Sequence, residues 1–130
     1  MLSISKLKEL SFLIYGLGLS GKSVINFFKK NNINNYEIWD DNEKQFYKNK
    51  KAKNLSKTLN KVDYIVLSPG VSLIDKKKLN KFKKKIITDI DLLYLINKKF
   101  KSIVVTGTNG KSTTCNLISH LLKKNKFKIL

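Results

Sequence analysis

The sequence predicts an α/β protein: a Rossmann-like five-stranded parallel sheet, then the opening strand, loop and helix of a second α/β unit. Three observations carry this. Two glycine loops, Gly16-Leu17-Gly18-Leu19-Ser20-Gly21 and Gly107-Thr108-Asn109-Gly110-Lys111-Ser112, each stand between a short apolar run and a helical pattern. Between them, apolar runs of strand length alternate with segments of helical periodicity. Several of those runs are continuous rather than alternating, as in strands covered on both faces.

Phe12-Leu13-Ile14-Tyr15 is the first such run. Lys6 and Lys8 ahead of it, with Leu10 to Leu19, follow the order of a signal peptide. Gly16 and Gly18 interrupt the apolar part, however, and no small-residue cleavage site follows, so the run reads as a strand. The first loop matches G-x-G-x-x-G in its required place after a strand. Val24, Phe27 and Phe28 then recur at helical spacing. Tyr36-Glu37-Ile38-Trp39 makes a second strand, ending at Asp40-Asp41. An acid about 20 residues past such glycines holds a ribose hydroxyl in dinucleotide folds; capping of the next segment is the alternative.

Asn42 to Lys61 is rich in Lys and Asn, with room for a short strand and a helical turn near Leu55 to Leu59. Tyr64-Ile65-Val66-Leu67 is a strand closed by Ser68-Pro69-Gly70, where proline and glycine bend the chain at the strand's carboxyl end. Asp75 can open a helix bearing Leu79 and Phe82, and Ile86-Ile87 makes the last strand of the first unit. Asp89 and Asp91 suit the start of a helix carrying Leu92, Leu93, Leu95 and Ile96. The polar segment 97–102 reads as a linker between a first domain, 1–96, and the residues from 103 to 130.

In the second loop, Ile103-Val104-Val105 is a β-branched strand run and Lys111-Ser112-Thr113 opens a helix. Backbone N–H groups and the helix dipole there converge on a phosphate. The common phosphate loop has a glycine five positions before the second glycine; Val105 stands there, so this is a shortened G-x-x-G-K-S form. Lys111 would place a cation on terminal phosphates and the Ser112 hydroxyl would hold Mg²⁺. Leu117, Ile118, Leu121 and Leu122 give the helix an apolar face, but some 30 residues cannot enclose a core of their own.

The formal net charge is +18, and 42% of the 130 residues are hydrophobic, which is enough for a core. All 27 basic residues are Lys, whereas Arg is the preferred residue for bidentate phosphate and base contacts. Lys also travels with abundant Asn and Ile, so the charge reads as compositional, with no specific nucleic-acid partner. Cys115 excludes an internal disulfide and suits a reducing cytoplasm, and lone His120 has no metal-ligating neighbours in the sequence. No apolar run reaches the roughly 20 residues of a membrane span.

The two loops in this order, joined by Ser68-Pro69-Gly70-Val71, resemble the Mur ligases, which build the peptide stem of peptidoglycan. Asn109 stands where the alanine-adding branch usually has His, and the likeness is to the branch that adds the second amino acid. The resemblance covers the whole chain but only the first quarter to third of such a ligase. It implies that the first loop holds the uridine diphosphate of UDP-N-acetylmuramoyl-L-alanine rather than NAD. Gly18, Leu19 and Ser20 would meet the diphosphate, Asp40 and Asp41 the uracil end, and Ser68, Pro69 and Gly70 the same crevice. The family often has Thr or Arg after the first acid, where this chain has Asp41 and Asn42.

The resemblance also implies that Gly107, Thr108, Asn109, Gly110, Lys111, Ser112 and Thr113 bind ATP, with Ser112 on Mg²⁺ and Lys111 catalytic. Residues 103–130 would be the truncated start of the family's ATP-binding central domain. ATP would phosphorylate the L-alanine carboxylate, and D-glutamate would displace the phosphate. The family's remaining magnesium ligands, modified lysine and D-glutamate domain would lie beyond Leu130. The expected whole enzyme is cytoplasmic and monomeric.

Two other classes fit parts of the chain. A nicotinamide-dependent oxidoreductase accounts for the first loop and Asp40 but leaves Gly107 to Thr113 unexplained. A small basic nucleotide- or nucleic-acid-binding module accounts for the charge. If the charge is compositional, DNA binding should be weak, indifferent to sequence and lost steeply with rising salt. Filter binding across a salt series decides this: sequence-selective binding that survives about 0.2 M salt contradicts it.

Overall fold

A computed structural model of the chain describes residues 3–42, 50–71, 77–97 and 101–129. Its first unit, Met1–Lys99, is built on four parallel strands among the described residues. They are β1 (Phe12–Tyr15), β2 (Tyr36–Trp39), β3 (Tyr64–Leu67) and β4 (Ile86–Ile87), in the order β2-β1-β3-β4. Phe12 pairs with Tyr36 on one side and Tyr64 on the other, and Tyr15 likewise with Trp39 and Leu67.

Strand alternation divides the core in two. Phe12, Ile14, Tyr36, Ile38 and Val66 face one layer, with Leu7 of α1 (Ile4–Glu9), Val24, Ile25 and Phe28 of α2 (Leu19–Lys30), and Leu92 of α5 (Asp89–Ile96). Leu13, Tyr15, Ile65 and Leu67 face the other, with Ala52, Leu79 and Leu59 of α3 (Leu55–Lys61). Both faces of β1 are therefore covered, which is why its sequence is a continuous apolar run. An aromatic cluster fixes α2 on the sheet: the Phe28 ring lies 4.9 Å from Phe12 and 5.4 Å from Tyr36. Each such pair contributes about 0.5–1.5 kcal/mol beyond burial.

Side chains set the helix starts. Ser3 accepts the Lys6 N–H at 3.2 Å and Asn54 the Lys57 N–H at 3.0 Å. At α5, Thr88 and Asp91 form a reciprocal capping box, so the acids expected to open that helix do so. The helix bearing Leu79 shortens to α4 (Lys77–Asn80), followed by a 3₁₀ turn over Lys83–Lys85; Asp75 lies outside the described residues.

The expected fifth strand is not formed among the described residues. Where a short strand was expected between 42 and 61, Lys51 makes a single bridge to Ile38. The Ile38 N–H donates to Lys50 O at 2.8 Å and the Ala52 N–H to Ile38 O at 3.0 Å. In Lys50-Lys51-Ala52-Lys53-Asn54 only Ala52 has an apolar side chain to bury, so the pairing stops at one bridge.

The second unit, Phe100–Leu130, carries α6 (Lys111–Lys124) behind the second glycine loop. Residues 103–105, expected as a strand, are not one. A strand exists only through a paired neighbour, and the described residues offer none here. No described residue from 101 to 129 is buried, and Leu117 and Leu121 of the expected apolar face are exposed. No described helix is long and apolar enough to cross a membrane.

One contact fixes the carboxyl edge of the sheet. Gly16 has a φ of +93°, and a Cβ there would meet Ser68 Cβ at 2.8 Å and Val71 Cγ2 at 2.9 Å. A Cβ on Gly21 would land on the Gly16 carbonyl oxygen. Gly21→Ala should therefore cost about 1–3 kcal/mol by denaturant titration, the range for overpacking. Gly18→Ala, with open space around it, should cost at most about 1 kcal/mol. Equal stabilities for the two variants would contradict this packing.

At the opposite edge, Asp63 Oδ2 accepts the Ser11 hydroxyl at 2.7 Å and the Ser11 N–H at 2.8 Å. These bonds, hydroxyl first, hold its carboxyl below the usual 3.8, aided by the Lys85 charge and opposed by burial. A depressed folded pKa means stability that is complete above the unfolded value and lost as pH falls through the folded one. The stability gap between the wild type and Asp63→Ala should thus be full above pH 4–5 (roughly) and close on further acidification. A gap unchanged down to about pH 2 would remove the carboxylate from the account.

Candidate functional site

Strand order places the first site before any side chain does. β1 passes through α2 to β2 on one side, while β3 lies on its other side, so the loops leaving β1 and β3 diverge from adjacent carboxyl ends. A crevice opens at such a switch point. Here it is a cleft of about 530 Å³. All the residues expected at one ligand line it: Gly18, Leu19, Ser20, Asp40, Asp41, Ser68, Pro69 and Gly70.

Its first wall is the start of α2. Gly18 is the N-cap and provides no side-chain cap, so the first-turn N–H groups have no intrahelical partner and carry the positive end of the dipole. Leu19 is 90% exposed, an apolar side chain left on the rim. Ser20 is half-buried beside it.

The second wall is the end of β2. Asp40 Oδ2 accepts the Leu17 N–H at 2.5 Å, and its Oδ1 accepts the Asn42 N–H at 2.7 Å. Asp41 accepts the Tyr15 hydroxyl, 3.1 Å from both carboxylate oxygens, and the Trp39 indole N–H at 3.3 Å. The third wall follows β3: Ser68 is buried and its hydroxyl donates to Gly16 O at 2.7 Å, while Pro69 and Gly70 are exposed.

The cleft is thus chemically two-ended. Unpaired N–H groups and the Ser20 hydroxyl at the α2 end suit an oxyanion, while the carboxyl oxygens at the β2 end accept N–H or O–H donors. A ligand with an anionic group at one end and imide or hydroxyl donors at the other fits that polarity. A nucleotide has it.

The second loop is built within its own unit. Gly107 and Gly110 have φ of +143° and +77°, and no Cβ stands in the way at Gly110. Gly110 is the N-cap of α6 without a side-chain cap, leaving first-turn N–H groups open. The Lys111 ammonium folds back to donate to Gly107 O at 2.5 Å and Thr108 O at 3.2 Å. Thr108, Asn109, Ser112 and Thr113 are exposed around it.

Sequence reasoning missed Tyr15, Trp39 and the Leu17 N–H. Tyr15 read as one more core residue, and its ring is indeed buried. The available signal was its place as the last residue of a strand, where a buried phenol needs a partner for its hydroxyl at the ligand-binding edge.

The sequence profile of the Mur ligase MurD-like, N-terminal domain matches residues 10–91. The chain is 42% identical over 123 residues to a UDP-N-acetylmuramoylalanine–D-glutamate ligase of Rickettsia prowazekii (strain Madrid E), covering 86% of this chain and 27% of that protein. It is 40% identical over 139 residues to the ligase of the same name from Wolbachia sp. subsp. Brugia malayi (strain TRS), covering 94% and 27%. With that of Buchnera aphidicola subsp. Schizaphis graminum (strain Sg) it is 37% identical over 128 residues, covering 91% and 29%. The chain thus spans little more than a quarter of the length of these relatives. A domain profile matched across well over half of the residues, and relatives near 40% identity along most of its length, place the chain in the Mur ligase family.

Proposed function

We propose that the chain serves an ATP-dependent, amide-bond-forming ligase of peptidoglycan precursor synthesis, which adds D-glutamate to UDP-N-acetylmuramoyl-L-alanine. The observation that carries this reading is the two-ended cleft at the switch point of a MurD-like N-terminal domain. The names of the relatives supply the substrates.

In this reading Gly18, Leu19 and Ser20 receive the diphosphate at the start of α2. Asp40 and Asp41 form the uracil end, and Ser68, Pro69 and Gly70 the floor. Gly107 to Thr113 wrap the phosphates of ATP. Lys111 exchanges its bonds to Gly107 O and Thr108 O for phosphate oxygens, offsetting charge as the γ-phosphoryl group moves. The carboxylate oxygen of L-alanine takes that group and ADP leaves. The D-glutamate amine then attacks the acyl carbon, expels phosphate and loses a proton.

Mg²⁺ would sit on the Ser112 hydroxyl and supply positive charge to the phosphates. Among the described residues no cluster of three His, Cys, Asp or Glu could cage a metal. Ser112 would be its one protein ligand from these residues, beside phosphate oxygens and water. The free, exposed Cys115 suits the reducing cytoplasm in which we place the reaction.

Calorimetric titration of the 130-residue chain tests the first loop. UDP-N-acetylmuramoyl-L-alanine should bind more tightly than NAD, without turnover by this chain alone. Tighter NAD binding would put a nicotinamide oxidoreductase in its place. For the second loop, residues 1–130 can replace the matching quarter of the Rickettsia prowazekii relative. Phosphate release by that chimaera should require ATP, D-glutamate and the UDP substrate together. Lys111→Ala should abolish release yet leave UDP-substrate affinity within about twofold, because the loops serve different ligands.

A further inference from the structure

Tyr15 and Trp39 are register partners at the carboxyl ends of β1 and β2, so their side chains leave the sheet on the same face. Each has an apolar body that ends in a hydrogen-bond donor. The Tyr15 ring is buried in the cluster of Leu13, Leu59, Ile65 and Leu67, and Trp39 packs against the same cluster. Both donors turn to one acceptor just beyond the strands. The phenol O–H donates to Asp41, 3.1 Å from either carboxyl oxygen, and the indole N–H donates to Oδ1 at 3.3 Å. Asp41 itself is exposed and lines the cleft. An exposed aspartate left to itself moves between rotamers, and a ligand has to immobilise it on binding. Here the hydrophobic core reaches past the end of the sheet and holds such a carboxyl group in place.

We propose that Tyr15 is a positioning residue for the nucleobase end of the cleft: through Asp41 it fixes an acceptor for the N3–H of a uracil ring. The inference rests on the reading of the cleft as a uridine-diphosphate site and adds the atom that is read. Uracil is an imide, with one N–H between two carbonyls, and a carboxyl oxygen accepts that N–H. Tyr15 is 1% exposed and has no surface to offer a ligand. What it contributes is the direction of the carboxyl group.

NMR titration of the 130-residue chain with uridine, 3-methyluridine and inorganic pyrophosphate reads the two ends of the cleft separately. The wild type should bind uridine about tenfold more tightly than 3-methyluridine, the difference of one hydrogen bond. Tyr15→Phe keeps the ring in the core. It should bind uridine about tenfold more weakly than the wild type, with 3-methyluridine and pyrophosphate within about twofold. A Tyr15 that served packing alone would weaken uridine and pyrophosphate together or neither, and either result overturns the proposal. Asp41→Ala should reproduce the uridine loss, and Tyr15→Phe added to it should bring no further loss. Additive losses would mean that Tyr15 acts by another route, and the proposal falls. Should the alanine variant not fold, the Tyr15→Phe series decides alone. Equal affinity of the wild type for uridine and 3-methyluridine overturns the role given to N3–H while leaving the cleft a nucleoside site. A wild type that binds neither uridine nor pyrophosphate ends the nucleotide reading of the cleft, and this inference with it.

Discussion

The carboxyl edge of the first unit depends on a place where the chain has no Cβ. Gly16 and Gly21 let the end of β1, the first turn of α2 and the residue after β3 occupy almost the same point. From that contact the other distances follow. The Ser68 hydroxyl reaches the Gly16 carbonyl, the Ser68 N–H continues the ladder to Tyr15 O at 2.9 Å, and the Gly16 N–H reaches Trp39 O at 2.8 Å. Strand pairing therefore runs past the formal strand ends and into the loops that line the cleft. The walls are extensions of the sheet, with its rigidity.

Charge alone gives such a site little selectivity. With 27 lysines against 9 acidic residues, any anion gains something near this surface. Discrimination has to come from geometry and from the scarce acids. Two of those nine stand together at the end of β2, one engaged by backbone N–H groups and the other by Tyr15 and Trp39. Acceptors are scarce on a chain of this net charge, so their position can discriminate where charge alone does not.

What could be read from the sequence was whatever one segment decides by itself. Phe12 to Tyr15 announces a strand covered on both faces, the glycines announce tight exits, and Thr88 with Asp91 announces a helix start. Eight of the residues lining the cleft were named by the family resemblance, and they meet because each follows a strand and parallel strands align their carboxyl ends. What failed depends on partners. The segment around Ala52 had too little apolar surface for more than one bridge, and Ile103-Val104-Val105 has strand propensity but no paired neighbour among the described residues. The bonds of Asp40 to Leu17 and of Tyr15 to Asp41 join residues 23 and 26 positions apart, which no local pattern encodes.

The sheet order also has a consequence for synthesis. β1 is an inner strand, and both its neighbours come later in the chain: Phe12 meets Tyr36 first and Tyr64 only afterwards. Until then β1 presents an open backbone edge and apolar side chains on both faces. Long crossovers must close before any ladder bond repays their entropy, which makes this topology slow compared with a hairpin. A ribosome adding roughly 5–20 residues per second would leave β1 waiting for seconds between its emergence and that of β3. In that interval a polar, lysine-rich neighbourhood has a use unrelated to any ligand: it keeps unfinished chains apart.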